Sequence, residues 1–281
     1  MKTYLDCIPC FFRQALFAAR AATKDETKAR QVLDRMGALL PGIPLDSPPP
    51  ETAVLVYSAV REITGVLDPF KALKDESIEN ALSLYRGLAS SVAASEDPLR
   101  TAVKIAIVGN VIDFGANANF DIEGEIEKLF EKELSIDHFE SFRKSLAQAE
   151  KILYLADNAG ETVFDKILIE TMQKDVVYAV RDIPIINDAT VLDAENSGVG
   201  EVARVLSSGC DAPGTILNRC SRDFLHEYTA ADLIISKGQG NLESLTGQKG
   251  PLFFLLKVKC PVIAGHLGSL EGEMILKDAR L

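Results

Sequence analysis

The chain has 281 residues, 47% of them hydrophobic, and its 41 acidic and 30 basic side chains give a formal net charge of −11. This length and composition predict a globular protein with a sizeable core, and the acidity disfavours nucleic-acid partners because it repels a phosphate backbone. With no apolar run of eighteen residues and no secretory signal at the start, we expect a cytoplasmic protein without a membrane partner.

Helical patterns dominate the first half of the chain. Apolar residues recur at helical spacing over residues 8–22, 24–40, 51–64, 77–94 and 99–114. A proline-rich stretch between the second and third of these segments predicts a loop. We therefore expect a helical subdomain over residues 1–145.

Short β-branched runs alternate with helical or loop segments in the second half. The runs cover residues 152–156, 176–180, 202–206, 233–236 and 262–264. Strands that alternate with helices predict βαβ units and a mostly parallel sheet covered on both faces. We expect an α/β domain over residues 146–281.

Polar or glycine-rich sequence follows every run, at the edge of the sheet where ligands of open α/β folds bind. Asp157 and Asn158 follow the first run and offer the oxygen donors that Mg²⁺ and Mn²⁺ prefer. Asp188 follows the second run, where a further oxygen ligand would reach the same crevice. Asp and Asn are also common helix N-caps, so the pattern leaves both interpretations open.

Phosphate binding is predicted after two other runs. Lys237, Gly238 and Asn241 belong to a turn in which glycines let backbone N–H groups approach a phosphate and the lysine adds a positive charge. Ser208 offers a hydroxyl suited to phosphate or sugar oxygens. A plain tight turn and a surface loop are the respective alternatives.

One further polar pair lies in the helical half, where Asn110 and Asp113 are one turn apart in an apolar stretch and need polar partners. Together the polar motifs are, in order, Gly109–Asn110–Val111–Ile112–Asp113, Asp157–Asn158–Ala159–Gly160–Glu161, Asn187–Asp188 and Lys237–Gly238–Gln239–Gly240–Asn241. This ordered set resembles the DUF89 family of metal-dependent damage-control phosphatases, which share an ARMT1-like domain. The resemblance spans nearly the whole chain.

The resemblance implies a helical N-terminal subdomain that is packed on a three-layer α/β/α unit and contributes to the active site. It implies substrates such as sugar phosphates or phosphopantetheine-like metabolites, including damaged forms. It further implies a divalent cation (Mg, Mn, Co or Ni). The site residues it implies are Asp157, Asn158 and Asp188 for the metal, Lys237 and its loop for phosphate, and Asn110 and Asp113 for the pocket lining.

In the expected mechanism the cation clamps a phosphoryl oxygen and activates a water for in-line attack. Asp113 and Asp188 are both candidates for the general base, and a covalent aspartyl-phosphate on Asp157 stays open. A nucleotide-dependent transferase and a non-catalytic metal- or metabolite-binding protein are the alternatives.

The five cysteines are sparse and odd in number, which indicates reduced thiols rather than a disulfide framework. Cys7 and Cys10 resemble the cysteine pair of the family's prokaryotic branch. A structural zinc site needs four ligands and the sequence has no second pair, so a metal or redox site and two partly buried cysteines at a helix start both stay open. We expect neither cysteine to be catalytic, because neither belongs to the crevice at the strand ends.

Overall fold

The computed structural model describes residues 1–109 and 132–281. Asn110 and Asp113, which were predicted to line the pocket, lie outside the described residues. Up to residue 109 the chain is helical, as the apolar spacing predicts. The helices are α1 (Cys7–Ala22), α2 (Glu26–Leu39), α3 (Pro49–Thr64), α4 (Lys71–Ala94) and α5 (Pro98–Val108).

Local signals explain where several of these helices begin and end. The Asp25 carboxylate accepts the N–H of Thr27 at 2.8 Å and caps α2. Proline opens α3 and α5, where its fixed φ is compatible with the first turn. Gly65, at a φ of 75°, ends α3 in the left-handed conformation that favours glycine.

A seven-stranded sheet occupies the second half of the described chain. Its strands are β1 (Ile136–Asp137), β2 (Ile152–Leu155), β3 (Val176–Val180), β4 (Arg204–Ser207), β5 (Leu233–Lys237), β6 (Leu252–Lys257) and β7 (Met274–Asp278). They lie in the order β1-β7-β6-β5-β2-β3-β4, and every neighbouring pair is parallel except β6 and β7. The mostly parallel sheet is as predicted.

Helices cover both faces of this sheet, which confirms the α/β architecture. They are α6 (Phe139–Gln148), α7 (Thr162–Met172), α8 (Val191–Asn196), α9 (Arg222–Ala230), α10 (Gly238–Leu245) and α11 (Pro261–Leu267). Side chains alternate across a strand, so Tyr154 joins the core beneath α4, α5 and α7 while Leu155 joins the core beneath α9, α10 and α11. No described helix is both long and apolar enough to cross a bilayer.

One strand prediction is wrong. The predicted strand at residues 262–264 lies in α11, because Pro261 in the first helical turn favours a helix there. The strand is instead β6, a continuous apolar run that is buried on both faces. Val258 and Lys259 are therefore the residues that follow the carboxyl end of this strand.

The helical half divides between two cores. Helices α1, α2 and α3 pack into a cluster of their own that also contains Ile185, from the loop after β3. Helices α4 and α5 pack against the sheet, and β1 pairs with β7 although it precedes residue 146. The division into units 1–145 and 146–281 stays a proposal, and these contacts favour an earlier boundary, after α3.

Candidate active site

Three predicted metal ligands come together where β2 and β3 end. Asp157 and Asn158 follow β2, and Asp188 lies in the loop after β3. The backbone joins the two loops, since the N–H of Ala189 donates to the carbonyl of Asp157 at 2.8 Å and Asn158 forms an isolated bridge with Asp188. The carboxyl ends of neighbouring parallel strands therefore bring these oxygen donors to one place, as the sequence pattern predicts.

The two carboxylates of this group are buried and repel each other. Asp157 is 8% exposed and Asp188 is 3% exposed. Burial, together with the Asp157 charge, raises the pKa of Asp188 to about 7, although Arg181 donates from Nε to Asp188 Oδ2 at 2.7 Å and opposes that rise. A cation between the two carboxylates would relieve their repulsion.

Asn158 would supply the third oxygen of the site. Its Nδ2 donates to Glu161 Oε1 at 2.6 Å, which fixes the amide and leaves Oδ1 as its coordinating atom. The same residue caps the short 3₁₀ turn Ala159–Glu161, in which its side-chain oxygen accepts the backbone N–H of Glu161. An amide oxygen has two lone pairs, so the N-cap and ligand interpretations are compatible. Among the described residues, no group of three or more His, Cys, Asp or Glu side chains is placed to hold a metal ion. The candidate site has two carboxylates, and the amide oxygen of Asn158 would be its third oxygen.

The sequence predicts that Lys237 binds a phosphate, whereas in the structure its ammonium group contacts two carboxylates. It ends β5 and is completely buried, and its Nζ donates to Glu161 Oε2 at 2.9 Å and Asp165 Oδ1 at 2.5 Å. A direct phosphate contact would have to replace one of these carboxylates. The contacts favour a positioning role, because Glu161 in turn holds the amide of Asn158.

Two tyrosines complete the network behind Lys237. Tyr154 and Tyr178 each donate a hydroxyl hydrogen bond of 2.7 Å to Asp165, one to each carboxylate oxygen. Burial, with the charge of Asp165, raises the pKa of both phenols well above its ordinary value. Asp165 is therefore fixed by three donors beneath the site, where nothing in the sequence pattern singled it out.

Asn241 orients Arg181 rather than lying open to a ligand. Its Oδ1 accepts from Arg181 Nη2 at 3.1 Å and from Thr215 Oγ1 at 2.8 Å, and its Nδ2 donates to two backbone carbonyls. Arg181 thereby keeps its Nε on Asp188. Ser208 is also buried, and its hydroxyl accepts the N–H of Cys210 at 3.2 Å. A direct contact of Asn241 or Ser208 with phosphate stays a prediction.

Gly238 makes room for the Asp157 carboxylate. Its φ is +78°, and a Cβ atom built there would lie 2.0 Å from Asp157 Oδ2. No side chain fits at this position without displacing the carboxylate. Glycine at the start of α10 is thus required both by the backbone conformation and by the candidate ligand.

We predict that Gly238→Ala lowers divalent-cation affinity at least about tenfold, because the added methyl group moves Asp157 out of place. Calorimetric titration with Mn²⁺ measures the change. Gly247→Ala is the matched control, since Gly247 also has a positive φ, of +88°, but has open space around its Cβ position. Equal affinities in the two variants would contradict the role of Gly238.

Lys259 is a cation that the sequence pattern missed. It is exposed and follows β6. Its charge attracts the carboxylates of Glu161 and Asp188 and opposes the rise in their pKa. The sequence pattern places the last strand at residues 262–264, so the residues that it predicts at this strand end are those after 264 and not Lys259.

Cys7 and Cys10 lie in the first turn of α1. Burial raises the pKa of Cys7, and Cys260 and Glu243 contribute because both lie close enough to act on its charge. A third thiol therefore approaches the pair from the other end of the chain. That neither Cys7 nor Cys10 is catalytic stays a prediction.

Comparison with known proteins decides the family. The chain matches the damage-control phosphatase ARMT1-like domain over residues 3–275. It belongs to that family. A DUF89 family protein from Pyrococcus horikoshii has a crystal structure that superposes with a TM-score of 0.93 at 34% sequence identity, covering 99% of both chains.

Three relatives of this DUF89 chain are archaeal proteins of similar length. The damage-control phosphatase of Pyrococcus horikoshii is 35% identical over 98% of this chain and 97% of its own. An uncharacterized protein of Methanocaldococcus jannaschii is 36% identical over 98% of this chain and 95% of its own. A damage-control phosphatase of Archaeoglobus fulgidus is 31% identical over 99% of both. The names of the Pyrococcus and Archaeoglobus relatives support a phosphatase-type function.

Proposed function

We propose that this protein is a divalent-metal-dependent phosphomonoesterase that hydrolyses small phosphorylated metabolites. The observation that carries the proposal is the convergence of Asp157, Asn158 and Asp188 after two neighbouring strands, with the two carboxylates buried and in repulsion. Sugar phosphates and phosphopantetheine-like molecules, including damaged forms, are the proposed substrates. We also propose that the enzyme acts in the cytoplasm.

The proposed metal ligands are hard oxygen donors, which suits Mg²⁺, Mn²⁺, Co²⁺ or Ni²⁺. When bound, such an ion supplies a Lewis acid that polarises a phosphoryl oxygen and acidifies a coordinated water. The protein's own contribution is orientation. Arg181 donates a hydrogen bond to one oxygen of Asp188, and Glu161 accepts one from the amide of Asn158. These contacts orient the side chains that are proposed to coordinate the metal.

For the substrate phosphate we propose Lys259 and the amino end of α10. Helix α10 begins at Gly238, directly beside the Asp157 carboxylate, and the amino end of a helix carries partial positive charge that attracts phosphate. Lys259 is exposed and adds a full positive charge that acts on the carboxylates of Glu161 and Asp188. Proton transfer from the attacking water is assigned to Asp188 or Asp113, both of which stay candidates.

We predict that Lys259→Met lowers kcat/KM about ten- to a hundredfold with unchanged metal affinity, because it removes a charge-assisted contact to phosphate worth about 1.5–3 kcal/mol. Steady-state kinetics and a metal titration of the same sample separate the two effects. Lys24→Met is the control for loss of one exposed positive charge, since Lys24 lies between α1 and α2. Unchanged kcat/KM in Lys259→Met would remove this residue from the phosphate site.

Phosphate release across a panel of sugar phosphates and phosphopantetheine, with each metal supplied in turn, tests the proposed function. Hydrolysis of a subset of the panel is the expected result. Saturable nucleotide binding with transfer of the phosphoryl group would favour a transferase instead. Tight metal or metabolite binding without any turnover would favour a binding protein.

A further inference from the structure

Two thiols lie close together at the two ends of the loop over residues 210–220. Cys210 belongs to a small apolar cluster with Ala212 and Ile216, and Cys220 packs against that cluster. The two side chains are near enough to shift each other's pKa, downward for Cys210 and upward for Cys220. Each thiol also contacts a carbonyl inside the loop, Cys210 Sγ with Gly214 O and Cys220 Sγ with Ile216 O, both at 3.3 Å.

The backbone closes this loop independently of the thiols. The N–H of Ser221 donates to the carbonyl of Ser208 at 2.9 Å. Ser208 lies two residues before Cys210, and Ser221 directly follows Cys220. Gly209 has a φ of +72°, and a Cβ atom there would lie only 2.7 Å from the backbone nitrogen of Ser221. The chain segments that carry the two cysteines are therefore in direct backbone contact, which brings Cys210 and Cys220 near each other, and a disulfide requires such closeness of the two backbones.

We propose that Cys210 and Cys220 form a reversible intramolecular disulfide. The two thiols differ in access, because Cys210 is completely buried and Cys220 is half-buried. Cys220 is thus the thiol that an oxidant in solution reaches first, and Cys210 is the resolving thiol behind it. The proposal is independent of the phosphatase function proposed above.

The oxidant is a low-molecular-weight disulfide, RSSR. Cys220 Sγ attacks one of its sulfurs, the S–S bond breaks, and the Cys220 proton leaves with the first RS group as RSH. Cys210 Sγ then attacks the Cys220 sulfur of the mixed disulfide, that S–S bond breaks, and the Cys210 proton leaves with the second RS group as RSH. Two protein thiols are oxidised and one RSSR is reduced to two thiols.

The disulfide would lock a loop that supports the candidate active site. Thr215 lies between the two cysteines, and its hydroxyl donates to Asn241 and accepts from Arg181 Nη1 at 3.3 Å. Through these contacts the loop holds the arginine that binds Asp188. We expect the oxidised protein to keep this arrangement and to unfold at a higher temperature, because the cross-link restricts the unfolded chain.

Oxidation of the wild-type protein with oxidised glutathione, followed by alkylation and non-reducing tryptic mapping, tests the proposal. Cleavage after arginine and lysine separates the cysteines into the peptides 3–13, 205–219, 220–222 and 260–277, with Cys7 and Cys10 together in the first. The expected product is 205–219 joined to 220–222, with the two hydrogens of the thiols lost, and dithiothreitol restores the separate peptides. The unfolding midpoint of the oxidised protein rises by roughly 5 °C.

Cys220→Ser is the control, and the same oxidant should neither cross-link residue 210 nor produce that rise in the unfolding midpoint. A glutathione adduct that persists on Cys220, or a disulfide that joins Cys210 or Cys220 to any other cysteine, would overturn the proposal. The same holds if both thiols remain free after prolonged oxidation of the folded protein.

Discussion

Asp157→Ala is expected to lose divalent-cation binding and turnover together. The substitution removes a negative charge and a direct oxygen ligand from a group of three donors, and the remaining carboxylate, Asp188, already shares one oxygen with Arg181. The loss of affinity should exceed the roughly 10- to 100-fold typical of an outer-shell partner. Calorimetric metal titration and phosphate release at saturating substrate measure both effects on the same folded variant.

Asp182→Ala is a matched control for that experiment. Asp182 also follows β3, but it is exposed and its carboxylate accepts the hydroxyl of Ser207 at 2.7 Å. We expect its metal affinity and turnover to stay within a fewfold of wild type. Wild-type metal affinity in Asp157→Ala would show that Asp157 is not a ligand, whatever happens to turnover.

Lys237→Met is expected to destabilise the fold by about 3–5 kcal/mol, because it leaves two buried carboxylates without their cation. Glu161 and Asp165 are 1% and 0% exposed, so water cannot replace the ammonium. Burial already raises the pKa of Glu161 to about 7 against the opposing charge of Lys237, so the carboxyl would take up a proton when that charge is lost. Urea unfolding at neutral pH measures the loss of free energy.

A second substitution separates this role from phosphate binding. In Lys237→Met with Asp165→Asn, one of the unpaired charges is removed while hydrogen-bonding capacity for Tyr154 and Tyr178 is partly kept. We expect the double variant to recover part of the lost stability. If Lys237 binds substrate phosphate instead, the single variant would unfold like wild type and show only a lower kcat/KM.

The sequence predicted most of the fold because its signals are local. Apolar spacing located the helices before residue 109, and the runs at 152–156, 176–180 and 233–236 correspond to β2, β3 and β5 within a residue. The run at 202–206 begins two residues before β4, where Val202 and Ala203 lead into the strand. The convergence of Asp157, Asn158 and Asp188 also followed, because parallel strands that neighbour in a sheet end at the same edge.

The partners of buried charges could not be predicted in this way. Lys237 follows a strand and precedes a glycine, a pattern that fits phosphate binding, yet its ammonium meets Glu161 and Asp165 from α7 and the turn before it. That pairing arises because β5 is the middle strand of the sheet, so the Lys237 side chain is completely buried and its ammonium group must find partners inside the protein. Lys259 could not be predicted for a different reason. The short apolar run after Pro261 is compatible with a strand or a buried helix, and it forms a helix, so the strand lies earlier and ends just before Lys259.

Turnover as a function of bound metal tests the proposed metal-dependent hydrolysis most directly. The wild-type protein is exhaustively treated with a chelator, dialysed, checked for retained fold by circular dichroism, and then titrated with Mn²⁺ while phosphate release and metal binding are measured in parallel. We predict no turnover without metal and a recovery that follows site occupancy. Undiminished phosphate release from the folded, metal-free protein would contradict the proposed function.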